Sequence, residues 1–220
     1  WRHGGHRCRS RQHGMSAADL GVLAVLMRAN AATHPGAQFR EPITVGDVLA
    51  SKPIARPLKL LDCCATADGA VAFVVSRERT GAAAVRIIGA GQAHTHQHIS
   101  EAPSLTEFGA RLSMDRAIAA TGRKLTTTDA DYLAIYDSFT ITLAILLEEL
   151  GLARRGEACG LARDGYFSRT GTKPLNTHGG LMSYGHCGVA GALAHLVETQ
   201  LQMTGRAENR QVADAGLAFL

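Results

Sequence analysis

The sequence predicts an α/β fold, and three observations predict it. A Gly-rich polar stretch within 175–198 runs straight into an apolar pattern at helical spacing. Residues 131–150 read as a short strand, an abrupt polar tip and a helix. Two apolar runs, at 70–76 and 85–92, have the length and composition of buried strands. Strand–tip–helix order is where α/β proteins place their site residues.

The elements follow in chain order. Residues 1–14 hold Arg2, Arg7, Arg9 and Arg11, no acid and almost nothing to bury, and read as a disordered or artefactual basic head. They lack the apolar region of a signal peptide. A helix is expected over 15–33, with Ser16 as N-cap, Asp19 three residues on, and Leu20, Leu23, Ala24, Met27 and Ala31 along one face. His34-Pro35-Gly36 stops it. Thr44 caps a second, short helix, and two prolines keep 52–57 extended. Asp68-Gly69 marks a turn ahead of the first strand. After the second strand His94, His96 and His98 alternate. In an extended chain they share a face and could bind metal, but no nearby carboxylate or Cys completes a ligand set, and a polar strand end is the plainer reading.

A helix of small and apolar residues is expected over 105–122, ended by Gly122. The tip after the next strand brings Tyr136, Asp137 and Ser138 together, and the helix at 141–150 is closed by Gly151. Residues 156–173 read as a polar, Gly-rich surface excursion. Gly179, Gly180, Gly185, Gly188 and Gly191 then imply a sharply bent backbone. Val189, Leu193, Leu196, Val197 and Leu201 form the apolar stripe that follows, which puts His186 at or near a helix start. Partial positive charge there favours a neutral imidazole, able to accept a proton or to hydrogen-bond a developing oxyanion. An apolar strand begins at 215–220.

Composition narrows the function classes. Hydrophobic residues make up 46%, enough for a sizeable core, yet no apolar run is long enough to span a membrane. The formal charge of +4 comes from the four head arginines, and charges balance beyond them, so nothing suggests a nucleic-acid groove. Five irregularly spaced cysteines give neither a disulfide framework nor a zinc motif, which points to a reduced, cytoplasmic setting.

The run N-T-H-G-G-L-M-S-Y-G-H-C-G-V-A-G resembles the thiolase C-terminal signature: an Asn, then Gly-Gly, then Gly-His-Pro-x-Gly-x-x-G. Asn176, Gly179, Gly180, Gly185, His186, Gly188 and Gly191 carry the match, and Cys187 stands where Pro is usual. From about residue 14 to 220 the order of segments resembles the sterol-carrier-type branch. A-D-G-A-V-A-F-V-V looks like the last strand of the N-terminal half, and I-Y-D-S-F-T-I-T like the branch's His-Asp-Cys-Phe motif. The resemblance implies a partial thiolase-like layered fold (αβαβα), truncated at both ends. Residues 15–82 would be a remnant of the N-terminal half with part of the loop region, and 83–220 the C-terminal domain. It implies a catalytic His186, with Ser138 in place of the acid/base Cys and Tyr136 in place of the motif His. Asn176, His178, Gly179 and Gly180 would line the substrate.

Two departures shape the functional expectation. A serine hydroxyl is a far poorer base than a low-pKa thiolate. A Tyr at the motif's first position resembles the thiolase-like aldolases that cleave steroid side chains as CoA thioesters, working with a small OB-fold/zinc-ribbon partner. The family's nucleophilic Cys lies upstream of everything here, and Cys63 and Cys64 read as small buried hydrophobes. Three readings result: an acyl-CoA acyltransferase of the acetyl-CoA acetyltransferase type, incomplete as this chain; an acyl-CoA retro-aldolase using Tyr136; or a non-catalytic fragment or scaffold. Coenzyme A enters only as part of the acyl-CoA substrate, with no other cofactor and no metal. A homodimer, or pairing with a related thiolase chain, is expected.

Overall fold

Ser16 accepts a hydrogen bond from Asp19 N at 3.2 Å, and the Asp19 carboxylate accepts from Ser16 N at 2.9 Å. This capping box starts helix α1 (Ala17–Ala31). Thr44 and Asp47 repeat the device at α2 (Val45–Ala50). An antiparallel pair follows, β1 (Pro53–Ala55) with β2 (Leu58–Lys59). Next come α3 (Ala110–Ala120), strand β3 (Tyr132–Leu133) and α4 (Thr140–Glu149). The chain closes with α5 (Ala158–Arg163), the single turn α6 (Gly180–Ser183), α7 (Gly191–Met203) and strand β4 (Ala218–Phe219). The structure, a computed structural model, describes residues 14–78, 81, 84–104 and 106–220. The expected basic head lies outside them, Gly14 excepted.

β3 organises the site. β4 pairs with it in parallel on one side, and Leu133 bridges in parallel to Leu175 on the other. Its side chains alternate. Leu133 and Ile135 enter the main core, whereas Tyr132 and Ala134 pack with Val212 in a second, small cluster. The main core takes Leu20, Leu23 and Met27 from α1 and Ile141, Leu143 and Leu147 from α4. Each such side chain, fully buried, stabilises the fold by about 2 kcal/mol. Among the described residues no helix is long and apolar enough to cross a membrane.

Several expectations are corrected here. The runs 70–76 and 85–92 form no strand. A strand needs a neighbour for its N–H and C=O groups, and 70–76 finds none among the described residues; Val74 and Val75 stand 95% and 81% exposed. Residues 85–92 instead run along α3, where Ser113 Oγ donates to Gly91 O and Arg116 Nη1 to Gln92 O. The helix expected over 105–122 is shorter, starting at Ala110 after Gly109 in the left-handed region. The excursion 156–173 is partly interior: it carries α5 and buries Cys159 and Phe167.

The expected helix after the Gly-rich stretch forms as α7, but with its polar side inward. Its buried face is Ala194, His195, Glu198, Thr199 and Gln202, while Val197 faces out and Val189, just before the helix, is 99% exposed. The polar stripe turns inward because it has fixed partners there. Arg210 pairs with Glu198 through Nε at 3.1 Å and Nη2 at 3.2 Å. Thr177 Oγ1 donates to Glu198 Oε1 at 2.8 Å, and Gln202 Nε2 donates to Thr177 Oγ1 at 2.9 Å. A satisfied buried ion pair fixes position more than it adds stability.

Candidate active site

Because β3 and the 174–176 segment run parallel, both chains leave the sheet at the same end, and their loops face each other there. Asn176 makes the turn, with φ of 45°, a left-handed conformation that Asn tolerates. Its amide serves Ile135 in both directions: Oδ1 accepts from Ile135 N at 2.9 Å and Nδ2 donates to Ile135 O at 2.7 Å. Asn30 of α1 donates to Leu175 O at 2.8 Å and Asn176 O at 3.3 Å, so the loop sits on α1. Gly179 seals that contact; its φ is 103°, and a Cβ there would lie 2.8 Å from Ala31 Cα. Arg28 holds the far end of the turn, donating from Nε to Ser183 Oγ at 3.1 Å. Burial lowers the Arg28 guanidinium from its usual value.

Tyr136 and His186 meet across the gap. Tyr136 Oη and His186 Nε2 are hydrogen-bonded at 2.8 Å, with ring centroids 5.9 Å apart and planes at 86°. Tyr136 remains 38% exposed, so the pair is open to a ligand. The main chain around it is stitched by residues 63–67. His186 N donates to Ala65 O at 2.6 Å, and Ala67 N to His186 O at 3.2 Å. Cys64 N donates to Ser138 O at 2.9 Å, and Ala65 N to Leu181 O at 3.3 Å. That segment, legible in sequence only as the approach to a turn, is the rail that fixes both loops. A hydrogen-bonded phenol and imidazole can pass a proton between them, which suits general acid–base work.

The other sequence-derived candidates are placed differently. Ser138 is buried and held through its carbonyl. Asn176 is buried with its amide committed to Ile135. His178 is buried beneath the loop, edge-on to Tyr184 at 5.3 Å and to His195 at 4.9 Å, and neither of its ring nitrogens has a hydrogen-bond partner among the described residues. Burial, with nearby His195, His34 and Arg210, pushes its imidazole well below the usual histidine range. Gly180 leaves no room for a Cβ, which would lie 2.6 Å from Asp137 Cγ. Cys187 Sγ packs on Gly69, where a Cβ would come within 3.0 Å of it. His186 precedes α7 by five residues, with a 3-10 turn at Gly188–Ala190 between them, so it is near the helix start but not on it. His94 is exposed and His96 half-buried, and they bond to Gln92 and Thr95. Among the described residues no group of three His, Cys, Asp or Glu could hold a metal.

Sequence reading passed over Asp137 as a site residue and His195 altogether. Asp137 is fully buried, and Leu181 N donates to its Oδ1 at 2.7 Å. His195 sits inside an apolar helical pattern whose leucines are only half-buried. Nothing in its spacing marks it.

Counted out, Gly188 and Gly191 fall one position earlier after His186 than in Gly-His-Pro-x-Gly-x-x-G, so the loop is one residue shorter as well as carrying Cys187 for Pro. Known proteins nevertheless match throughout. Residues 91–220 match the family model described as thiolase C-terminal domain-like. The chain is 36% identical over 214 residues to a steroid side-chain-cleaving aldolase of Thermomonospora curvata, covering 90% of this chain and 54% of that protein. It is 32% identical over 213 residues to an acetyl-CoA acetyltransferase of Methanothermobacter thermautotrophicus, covering 94% and 55%. The solved Ltp2-ChsH2(DUF35) aldolase superposes with a TM-score of 0.85 at 29% identity, over 98% of this chain and 58% of that one. The chain thus spans about half the length of the curated relatives it matches.

Proposed function

The chain belongs to the thiolase family, with a thiolase-like α/β fold, and on that premise we propose that it is the part of an acyl-CoA retro-aldolase that carries the proton-transfer pair Tyr136 and His186. The observation that supports this is the 2.8 Å hydrogen bond between Tyr136 Oη and His186 Nε2 at an open position. The substrate class is a thioester of coenzyme A with a hydroxyl on the β carbon. The pair takes the hydroxyl proton. The oxygen's electrons form a carbonyl as the Cα–Cβ bond breaks, and the electrons of that bond pass to Cα and the thioester oxygen as an enolate. The proton returns to Cα, leaving a carbonyl compound and a shortened acyl-CoA. No thiol nucleophile and no second substrate are consumed.

Similarity to a steroid side-chain-cleaving aldolase and to the Ltp2-ChsH2(DUF35) complex supports this chemistry and assembly with an accessory chain of the DUF35 kind. Similarity to an acetyl-CoA acetyltransferase supports a second reading, acyl transfer between thioesters. That reading needs a thiol nucleophile, which the family resemblance puts upstream of these residues; Cys187 itself packs against Gly69.

The test is product analysis with the full-length protein and β-hydroxyacyl-CoA thioesters. A carbonyl product formed without free coenzyme A supports the lyase. Cleavage that requires free coenzyme A, or acyl exchange between thioesters, supports the transferase and removes the lyase.

A further inference from the structure

Asp137 lies between Tyr136 and Ser138 in the chain, yet it faces inward. Its side chain is fully buried. Oδ1 accepts from Leu181 N at 2.7 Å, and Oδ2 is 3.4 Å from Met182 N. Those amides open α6, whose first N–H groups have no partner within the turn. His195 Nε2 comes within 3.4 Å of Oδ1 from α7, and His178 abuts His195 from the loop. His195 and His178 are thus titratable groups on this side of the carboxylate, and nearby Glu198 and Arg210 pair with each other. The carboxylate therefore joins two pieces, the tip that carries Tyr136 and the turn that leads to His186, while His195 of the following helix packs beside it. Gly180 is the residue that lets it in, since any side chain there would overlap the carboxylate.

We infer that Asp137 is the positioning residue of the Tyr136–His186 pair. It anchors the Leu181–Met182 amides to the residue next to Tyr136, so that the chain from Met182 to His186 has one place to go. A buried carboxylate that accepts from backbone N–H groups makes strong, charge-assisted bonds. An Asn at this position keeps one acceptor but puts an amide donor where a second N–H must be met, so the clamp is lost while the volume is kept. The inference rests on Tyr136 and His186 being the reacting pair, but its test does not depend on turnover.

The ring nitrogens of His186 are followed by heteronuclear NMR in the full-length protein, with and without Tyr136→Phe. In the parent background the substitution shifts the His186 Nε2 resonance, because it removes the hydrogen bond. In the Asp137→Asn background that shift is expected to shrink by about half or more, as for coupled residues in a double-mutant cycle. An undiminished shift overturns the proposal. Ile145→Ala in α4 controls for plain destabilisation; it is expected to lower the melting temperature and leave the Nε2 response intact, and an equal loss there also overturns the proposal. If Asp137→Asn does not fold, hydrogen exchange on the unmodified protein decides. Leu181 and Met182 amides exchanging as slowly as those within α4 support the clamp, and exchange at open-loop rates overturns it. Loss of the lyase reading would instead appear as turnover that survives His186→Ala, so the two failures are distinguishable.

Discussion

Tyr136 Oη and His186 Nε2, fifty residues apart in the chain, lie 2.8 Å from each other. Two sets of backbone hydrogen bonds bring them there. Leu133 pairs with Leu175 beneath them, and residues 63–67 bond to both loops beside them. The pair is thus held by main-chain geometry at a position open to a substrate.

His186→Ala is expected to lower cleavage by the full-length protein about 10²- to 10⁴-fold, the usual worth of a positioned acid–base group. Cys187→Ala is expected to change it little, because Cys187 Sγ packs against Gly69. Steady-state kinetics of both variants check this. Equal losses would mean that Cys187 takes part in the chemistry.

Gly179→Ala is expected to destabilise the fold by about 2–4 kcal/mol, combining left-handed backbone strain with overpacking. The new Cβ would meet Ala31 backbone at 2.8 Å, and α1 has no slack there, since Asn30 is tied to the same loop. Urea unfolding of variant and parent measures it; a cost below the ordinary surface range would contradict the close approach.

Arg210→Ala is expected to cost about 3–5 kcal/mol, because it leaves a buried Glu198 carboxylate without its counter-charge. Both side chains are buried. Replacing Glu198 and Arg210 together by Gln and Met is expected to cost less than Arg210→Ala alone, and denaturant midpoints of the two variants test the order.

His178 makes stability depend on pH. Its folded imidazole is held well below the usual histidine range by burial. The unfolded chain therefore binds the proton first as pH falls. The contribution is whole above about pH 6.5 and is lost progressively as pH falls from there toward the folded value. His178→Phe removes this dependence and spares two unpartnered ring nitrogens. Urea midpoints at about pH 7.5 and about pH 5.5 are expected to lie closer together in the variant than in the parent; an unchanged gap would assign the acid sensitivity to another group.

Local signals in the sequence carried far. Ser16 with Asp19 and Thr44 with Asp47 announced two helix starts, and both capping boxes form. The strand before Tyr136, the helix after it and the bend around His186 were legible because turn chemistry and apolar runs are local properties. What was not legible depends on partners. Residues 70–76 read as a buried strand because their composition fits one, but composition does not say whether a neighbour exists. The α7 pattern announced a helix but not which face is buried, since only the positions of Thr177 and Arg210 turn Glu198 and Gln202 inward. Asp137 was visible as a polar residue in the tip, but its direction is set by the Leu181 amide across the fold.

The measurement that bears most directly on the central claim is a double-mutant cycle on kcat/KM for β-hydroxyacyl-CoA cleavage, with Tyr136→Phe, His186→Ala and the pair combined in the full-length protein. If the two residues act as one proton-transfer unit, the double variant is expected to be no slower than the slower single variant. Losses that add in free energy would contradict the account, because they would mean that Tyr136 and His186 serve the reaction separately.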